Sequence, residues 1–256
     1  MSPLLVADWP APRGVHALTT LRGGAGVSQA PFDTFNLGNH RSAAGDAADS
    51  VARNREALVD NAGLPSRPHW LQQVHGVEVA RFVAPAGDAQ QALVEADASV
   101  TSEAGVVLAI LTADCLPVVF AADDGGEIGA AHAGWRGLAA GVLEATVTAM
   151  RTPAARLRVW LGPAAGPASY EIGVEVRDAF VTTDPGAGAA FVATRPGHWR
   201  VDLYALARRR LQAAGLQADA IHGGGRDTIA EPDAFFSHRR DRRTGRMATL
   251  VWMDAR

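Results

Sequence analysis

The sequence predicts a mixed α/β fold, and three observations carry that prediction. Continuous apolar runs at VVLAILT (106–112), PVVFAAD (117–123) and EIGAAHA (127–133) have the length and composition of buried strands. Behind the third run, Leu138, Val142, Ala145 and Ala149 recur at helical spacing from Gly137 to Met150. Strand-like and helix-like segments return at LRVWLGP (157–163) and GVEVRDAF (173–180), so the two kinds of element alternate.

In chain order, the first clear element is a helix from Asp46 to Asn61, with Val51, Leu58, Val59 and Ala62 toward one face and a stop at Gly63 and Pro65. WLQQV (70–74) and VEVARFV (77–83) read as a strand pair around a turn at His75-Gly76. The apolar runs follow, the second and third joined by the turn Asp124-Gly125-Gly126, and the third feeds its helix through GWRG. Asp202 suits the N-cap of a helix running to Ala214, closed by Gly215. No repeat, low-complexity tract or charge run marks a linker, so a single domain over residues 1–256 is expected.

Composition narrows the function classes. With 48% apolar and 20% charged residues the chain can bury a sizeable core. A net charge of −3 gives no footprint for nucleic acid or an anionic membrane, and no obligate protein partner is evident. All 24 basic residues are Arg, so Schiff-base chemistry and a lysine base are excluded; a phosphate clamp must use guanidinium forks, backbone N–H groups or a metal. The single Cys rules out an internal disulfide. MSPLLVADWPAPRGV lacks the basic start and apolar core of a signal peptide, and no run of about 20 apolar residues follows. A cytoplasmic location is expected.

Cys115 lies between an apolar strand and Pro117, at a break in regular structure, where core filler, nucleophile and metal ligand are all open readings. The last two need a histidine nearby. His132 is a candidate, although the antiparallel hairpin is expected to carry the two residues to opposite edges unless sheet order or a bend intervenes. Gly134-Trp135-Arg136-Gly137 opens a helix, so its backbone N–H groups and Arg136 suit an anion; a structural turn packed on Trp135 is the alternative. His75, before a glycine in a turn, suits a cleft or a plain surface. FFSHRRD (235–241) sets two aromatics beside Ser237, His238, Arg239, Arg240 and Asp241, as the fixed lip of a pocket would.

Together, QVHG, TADCLPV, AHAGWRG, LGPAAGP with YEIG, and FFSHRRD with TGRMA resemble the YfiH-type family, described as polyphenol oxidase or laccase-domain proteins and as purine nucleoside phosphorylases. FNLG (35–38) and VARNREAL (51–58) extend the resemblance over nearly the whole chain. It implies a four-layer α/β/β/α sandwich with mixed sheets, similar to cysteine-dependent deamidase toxins. It also implies zinc held by His75, Cys115 and His132, a donor set that leaves a fourth position open. The implied reaction is phosphate attack at C1′ of adenosine, inosine or methylthioadenosine, with adenosine deamination as a second activity. Cys115, His132 and Asp114 are then the catalytic candidates. Asn36, Arg53, Arg55, Arg136 and Arg239 are the candidates for binding nucleoside and phosphate. Where relatives carry a second Cys this chain has Asp227, which excludes a two-thiol mechanism.

Two other functions compete. A copper laccase would need a coupled cluster for which eight histidines are too few. An amide hydrolase editing peptidoglycan precursors could use Cys115 as nucleophile with His75 or His132 as base, or a zinc-activated water. The zinc deaminase motif is absent, since His75 is followed by Gly-Val-Glu and no second Cys exists.

Overall fold

The computed structural model describes residues 2–38, 45–87 and 93–254. Strands β1 (Leu4–Val6) and β2 (Val15–Thr20) precede helix α1 (Ala48–Ala62), which stops where Gly63 takes a left-handed φ of 58°. Four short strands follow: β3 (Pro68–His69), β4 (Leu71–Gln72), β5 (Val79–Arg81) and β6 (Val94–Glu95). The centre of the chain supplies β7 (Ala98–Thr101), β8 (Val107–Thr112), β9 (Leu116–Ala122) and β10 (Ile128–Ala133). After them come α2 (Trp135–Ala140), α3 (Val142–Ala149), β11 (Leu157–Leu161), β12 (Glu171–Gly173) and α4 (Val174–Val181). The last third holds β13 (Phe191–Arg195), β14 (His198–Val201), α5 (Leu203–Ala213), β15 (Ile221–Gly223), α6 (His238–Asp241) and β16 (Met247–Met253).

Two mixed sheets form the body, one ordered β1-β2-β16-β8-β3 and the other β15-β11-β9-β10-β7-β5. Strand alternation explains why they stack. In β8, Leu108 and Ile110 join a cluster with Val119 and Ala121 of β9 and Ile128 and Ala130 of β10, so these faces meet between the sheets. The intervening Val107 and Ala109 of β8 face outward, where Leu58 of α1 covers them. On the other sheet Val118 and Phe120 of β9 face outward beneath Leu138, Val142 and Leu143 of α2 and α3 and Leu206 and Leu211 of α5. The order of layers is therefore helix, sheet, sheet, helices, because β8 and β9 are apolar on both faces and each face needs cover.

Two expectations need correction. WLQQV and VEVARFV do not pair: β4 runs parallel to β6 and β5 parallel to β7, because the loop between them is drawn to Asp97 and sends the strands into different sheets. The helix expected from Gly137 to Met150 is two helices, broken at Gly141 by a φ of 102°. The Asp202 cap forms as expected, its carboxylate accepting from Ala205 N at 2.9 Å. Among the described residues no helix is long and apolar enough to cross a membrane.

Candidate metal centre and anion cleft

The chain passes from one stacked sheet to the other between β8 and β9, at Ala113-Asp114-Cys115. Asp114 makes that corner with a left-handed φ of 96°. Its carboxylate accepts from Thr228 Oγ1 at 2.7 Å and Arg239 N at 2.6 Å, and its carbonyl accepts from Ala165 N at 2.9 Å. These bonds hold a conformation that costs a non-glycine residue about 1–3 kcal/mol. Asp114 thus sets the position of the thiol that follows it.

His132 ends β10. The register pairs Leu116 with Ala133 and Pro117 with His132, so the start of β9 lies beside the end of β10. This corrects the expectation of opposite edges: Cys115 belongs to the beginning of the second strand, and that end of an antiparallel hairpin adjoins the last residues of its partner. His75 arrives from the loop after β4, with a left-handed φ of 64°.

One buried carboxylate fixes both histidines. Asp97 accepts from the N–H groups of Val74 (3.1 Å), His75 (2.9 Å) and Gly76 (2.7 Å), and from His132 Nδ1 at 2.8 Å. Burial opposes its charge, yet the bonds from His132 and from the loop N–H groups outweigh burial and lower its pKa. With Nδ1 donating to Asp97, His132 keeps Nε2 as the ligating atom. Asp97, in the short stretch VEADASV, carries no motif signal; only the fold shows its role.

His75, Cys115 and His132 offer three ligand atoms within 4.8 Å of one another. Cys115 Sγ lies 3.8 Å from His75 Nε2, and the two imidazoles meet edge to face at 4.8 Å between centroids. A tetrahedral zinc with ordinary Zn–S and Zn–N bonds separates such a sulfur and nitrogen by about 3.5 Å, so the group fits a metal ion with little adjustment. Burial raises the Cys115 pKa, but the adjacent His132 and His75 reverse this and bring it down to about 6. Burial lowers the His132 pKa, while the Cys115 and Asp97 charges carry it up to about 9. Both shifts favour a thiolate at Cys115 beside an imidazolium at His132. Gly134 is required here: a Cβ on it would stand 2.8 Å from His75 Cδ2 and 2.9 Å from Cys115 Sγ.

The three ligands open onto a cleft of 720 Å³ that Arg55, Arg136, His238 and Arg246 also line. Arg55 donates from Nε to Leu37 O at 3.0 Å and stacks over Trp70 at 4.1 Å. Arg136 is exposed and lies over Trp135 at 4.4 Å. His238 Nδ1 donates to Arg242 O at 2.8 Å, in keeping with FFSHRRD as a pocket lip. The other residues named from sequence do not line the cleft, although Arg239 N bonds the carboxylate of Asp114 beside Cys115. Arg53 is exposed on α1, and Arg239 lies over Tyr170 with Nη1 donating to Glu171 O. Asn36 is buried, its amide donating to Asp46 and its Oδ1 accepting from Gly38 N and Arg246 N. Asp227 accepts from Gly166 N, Ser169 Oγ and Ile229 N, a loop brace that does not line the cleft.

The family model described as multi-copper polyphenol oxidoreductase laccase matches residues 15–254. A Xylella fastidiosa (strain Temecula1) protein named purine nucleoside phosphorylase is 64% identical over 251 residues, which cover 98% of this chain and 96% of that one. Purine nucleoside phosphorylase YfiH of Escherichia coli is 47% identical over 253 residues, covering 99% of this chain and all of the relative. The crystal structure of a Neisseria meningitidis DUF152 protein superposes with a TM-score of 0.90 at 45% identity, covering 99% of this chain and 100% of that one. With the motifs, the layered fold and the His-Cys-His group in agreement, the chain belongs to the YfiH-type family of laccase-domain proteins.

Proposed function

We propose that the protein is a zinc-dependent purine nucleoside phosphorylase, converting adenosine, inosine and methylthioadenosine with phosphate to base and ribose 1-phosphate, with adenosine deamination as a side activity. The observation that carries the reading is the junction of a three-donor metal group with a cleft whose wall is cationic. The names of the relatives support the same reaction. Zinc bound at this open site supplies Lewis-acid polarisation of a substrate atom.

The protein's own groups account for the rest. His75, Cys115 and His132 hold the metal, and Asp97 keeps His132 in the ligating tautomer. Asp114 sets the corner from which Cys115 projects. Arginines of the cleft neutralise and orient phosphate as a nucleophile toward C1′; the C1′–N9 bond breaks as the C1′–O bond forms, and charge on the sugar is matched by the held anion. His238 and Arg136 lie at the same cleft for the departing base.

Hypoxanthine release from inosine tests the reading. It should require phosphate and vanish in Cys115→Ala and His132→Ala; release indifferent to phosphate overturns it. The thiolate character of Cys115 favours one second reading, an amide hydrolase in which Sγ attacks a carbonyl. Rapid alkylation of Cys115 in zinc-loaded protein, together with turnover of a UDP-muramyl-amino acid, would support it, whereas a metal-bound thiolate is protected. Multi-copper oxidation finds less support, since the described residues bring together one three-donor group and the coupled cluster needs more.

A further inference from the structure

The sequence TGRMA contributes one of the cleft arginines. Arg246 lies just before β16, whose Met247 is paired with Thr112 of β8, so its guanidinium stands at the sheet end that carries Cys115. Its Nη1 donates to Gly245 O at 2.8 Å and Thr244 O at 3.2 Å. Among the described residues no carboxylate pairs with it, and none lines the cleft. Burial lowers its pKa, only partly offset by the Cys115 and Asp114 charges. A half-buried guanidinium with no carboxylate in hydrogen-bond contact is a costly arrangement unless a ligand completes it.

The FNLG segment fixes the surroundings: Asn36 Oδ1 accepts from Arg246 N at 2.8 Å, Leu37 N donates to Arg246 O at 3.1 Å, and Leu37 O takes Arg55 Nε. Gly38 leaves room for the Arg246 stem, since a Cβ there would come within 3.2 Å of its Cβ and Cγ.

We infer that Arg246 forms the oxyanion subsite of this cleft, a seat for a phosphate group with Arg55 on its flank. Its guanidinium keeps donors beyond those on Thr244 O and Gly245 O for the oxygens of a phosphate, and the Asn36 side chain and Leu37 N–H hold the Arg246 backbone from which it projects. The inference rests on the phosphorylase reading for its identification of the anion as the attacking group, but the subsite itself is tested by binding.

The experiment titrates zinc-loaded protein with inorganic phosphate and, in parallel, with adenosine 5′-monophosphate, by calorimetry and thermal shift, for wild type, Arg246→Gln and Arg246→Lys. Phosphate affinity should fall about tenfold or more in Arg246→Gln and less in Arg246→Lys, with the zinc content of each unchanged. Tighter binding of the nucleotide than of phosphate, lost equally in Arg246→Gln, keeps the subsite but assigns it to a substrate phosphate. Unaltered phosphate binding in a folded, zinc-loaded Arg246→Gln overturns the inference. If phosphate binds through Arg246 but inosine is not cleaved, the phosphorylase reading fails and the subsite stands. If inosine is cleaved and the phosphate KM of Arg246→Gln equals that of wild type, the subsite fails and the phosphorylase reading stands.

Discussion

At the scale of single residues, the pKa shifts of Cys115 and His132 have opposite consequences. His132, raised to about 9 from 6.5, adds stability that is complete below pH 6.5 and lost as the pH rises through 9. Cys115, lowered from 9.0 to about 6, adds stability complete above pH 9 and lost as the pH falls through 6. One gain replaces the other across the interval, so in metal-free protein this pair should leave the unfolding midpoint level between pH 6.5 and 9. Reactivity, in contrast, should change. The alkylation rate of Cys115 is expected to rise with a midpoint near pH 6 in metal-free protein, and His132→Gln should move that midpoint toward 9. A second residue-scale prediction concerns Asp97. Asp97→Asn removes the charge that orients His132 and weakens the grip on the His75 loop, so zinc affinity should drop about 10–100-fold in a chelator competition, whatever the substrate.

At the scale of elements, the GWRG turn has a tighter duty than a generic helix start. Gly134→Ala would press a methyl group between His75 and Cys115, and its metal affinity should fall on the order of tenfold while the circular dichroism spectrum is retained. The β9 strand is the structural counterpart. Phe120 is wholly buried beneath the helices, and Phe120→Ala should cost about 3–5 kcal/mol in denaturant unfolding. The three apolar runs were legible as strands because continuous burial leaves a continuous apolar pattern, and Asp202 was legible as a cap because its chemistry is local. The pairing of WLQQV with VEVARFV was not legible correctly. Alternation shows that a segment can be extended, but its partner was chosen by Asp97, some twenty residues away, which collects the intervening N–H groups.

At the scale of the whole molecule, two stacked sheets place the crossing β8–β9, the end of β10 and the approach to β16 at one end of the sandwich. The result is a cationic cleft on a chain whose net charge is −3. Local rather than net charge governs binding there, so raising ionic strength from about 0.01 M to 1 M shortens the screening length from about 30 to 3 Å and should raise the KM for phosphate more than that for inosine. Initial rates at fixed zinc and increasing sodium chloride check this; equal effects on both constants would count against an anion held by arginine.

By itself the sequence determined the alternation of strands and helices, the absence of lysine and thiol-pair chemistry, and the motifs that carry His75, Cys115 and His132. These are properties of local pattern and composition. Tertiary structure decided which of the arginines share a cleft, that Asp97 serves both histidines, and that Asn36 and Asp114 act as braces while Arg246 reaches the site. The reason is physical: a desolvated charge is defined by what surrounds it in space, and those surroundings come from segments far apart in the chain.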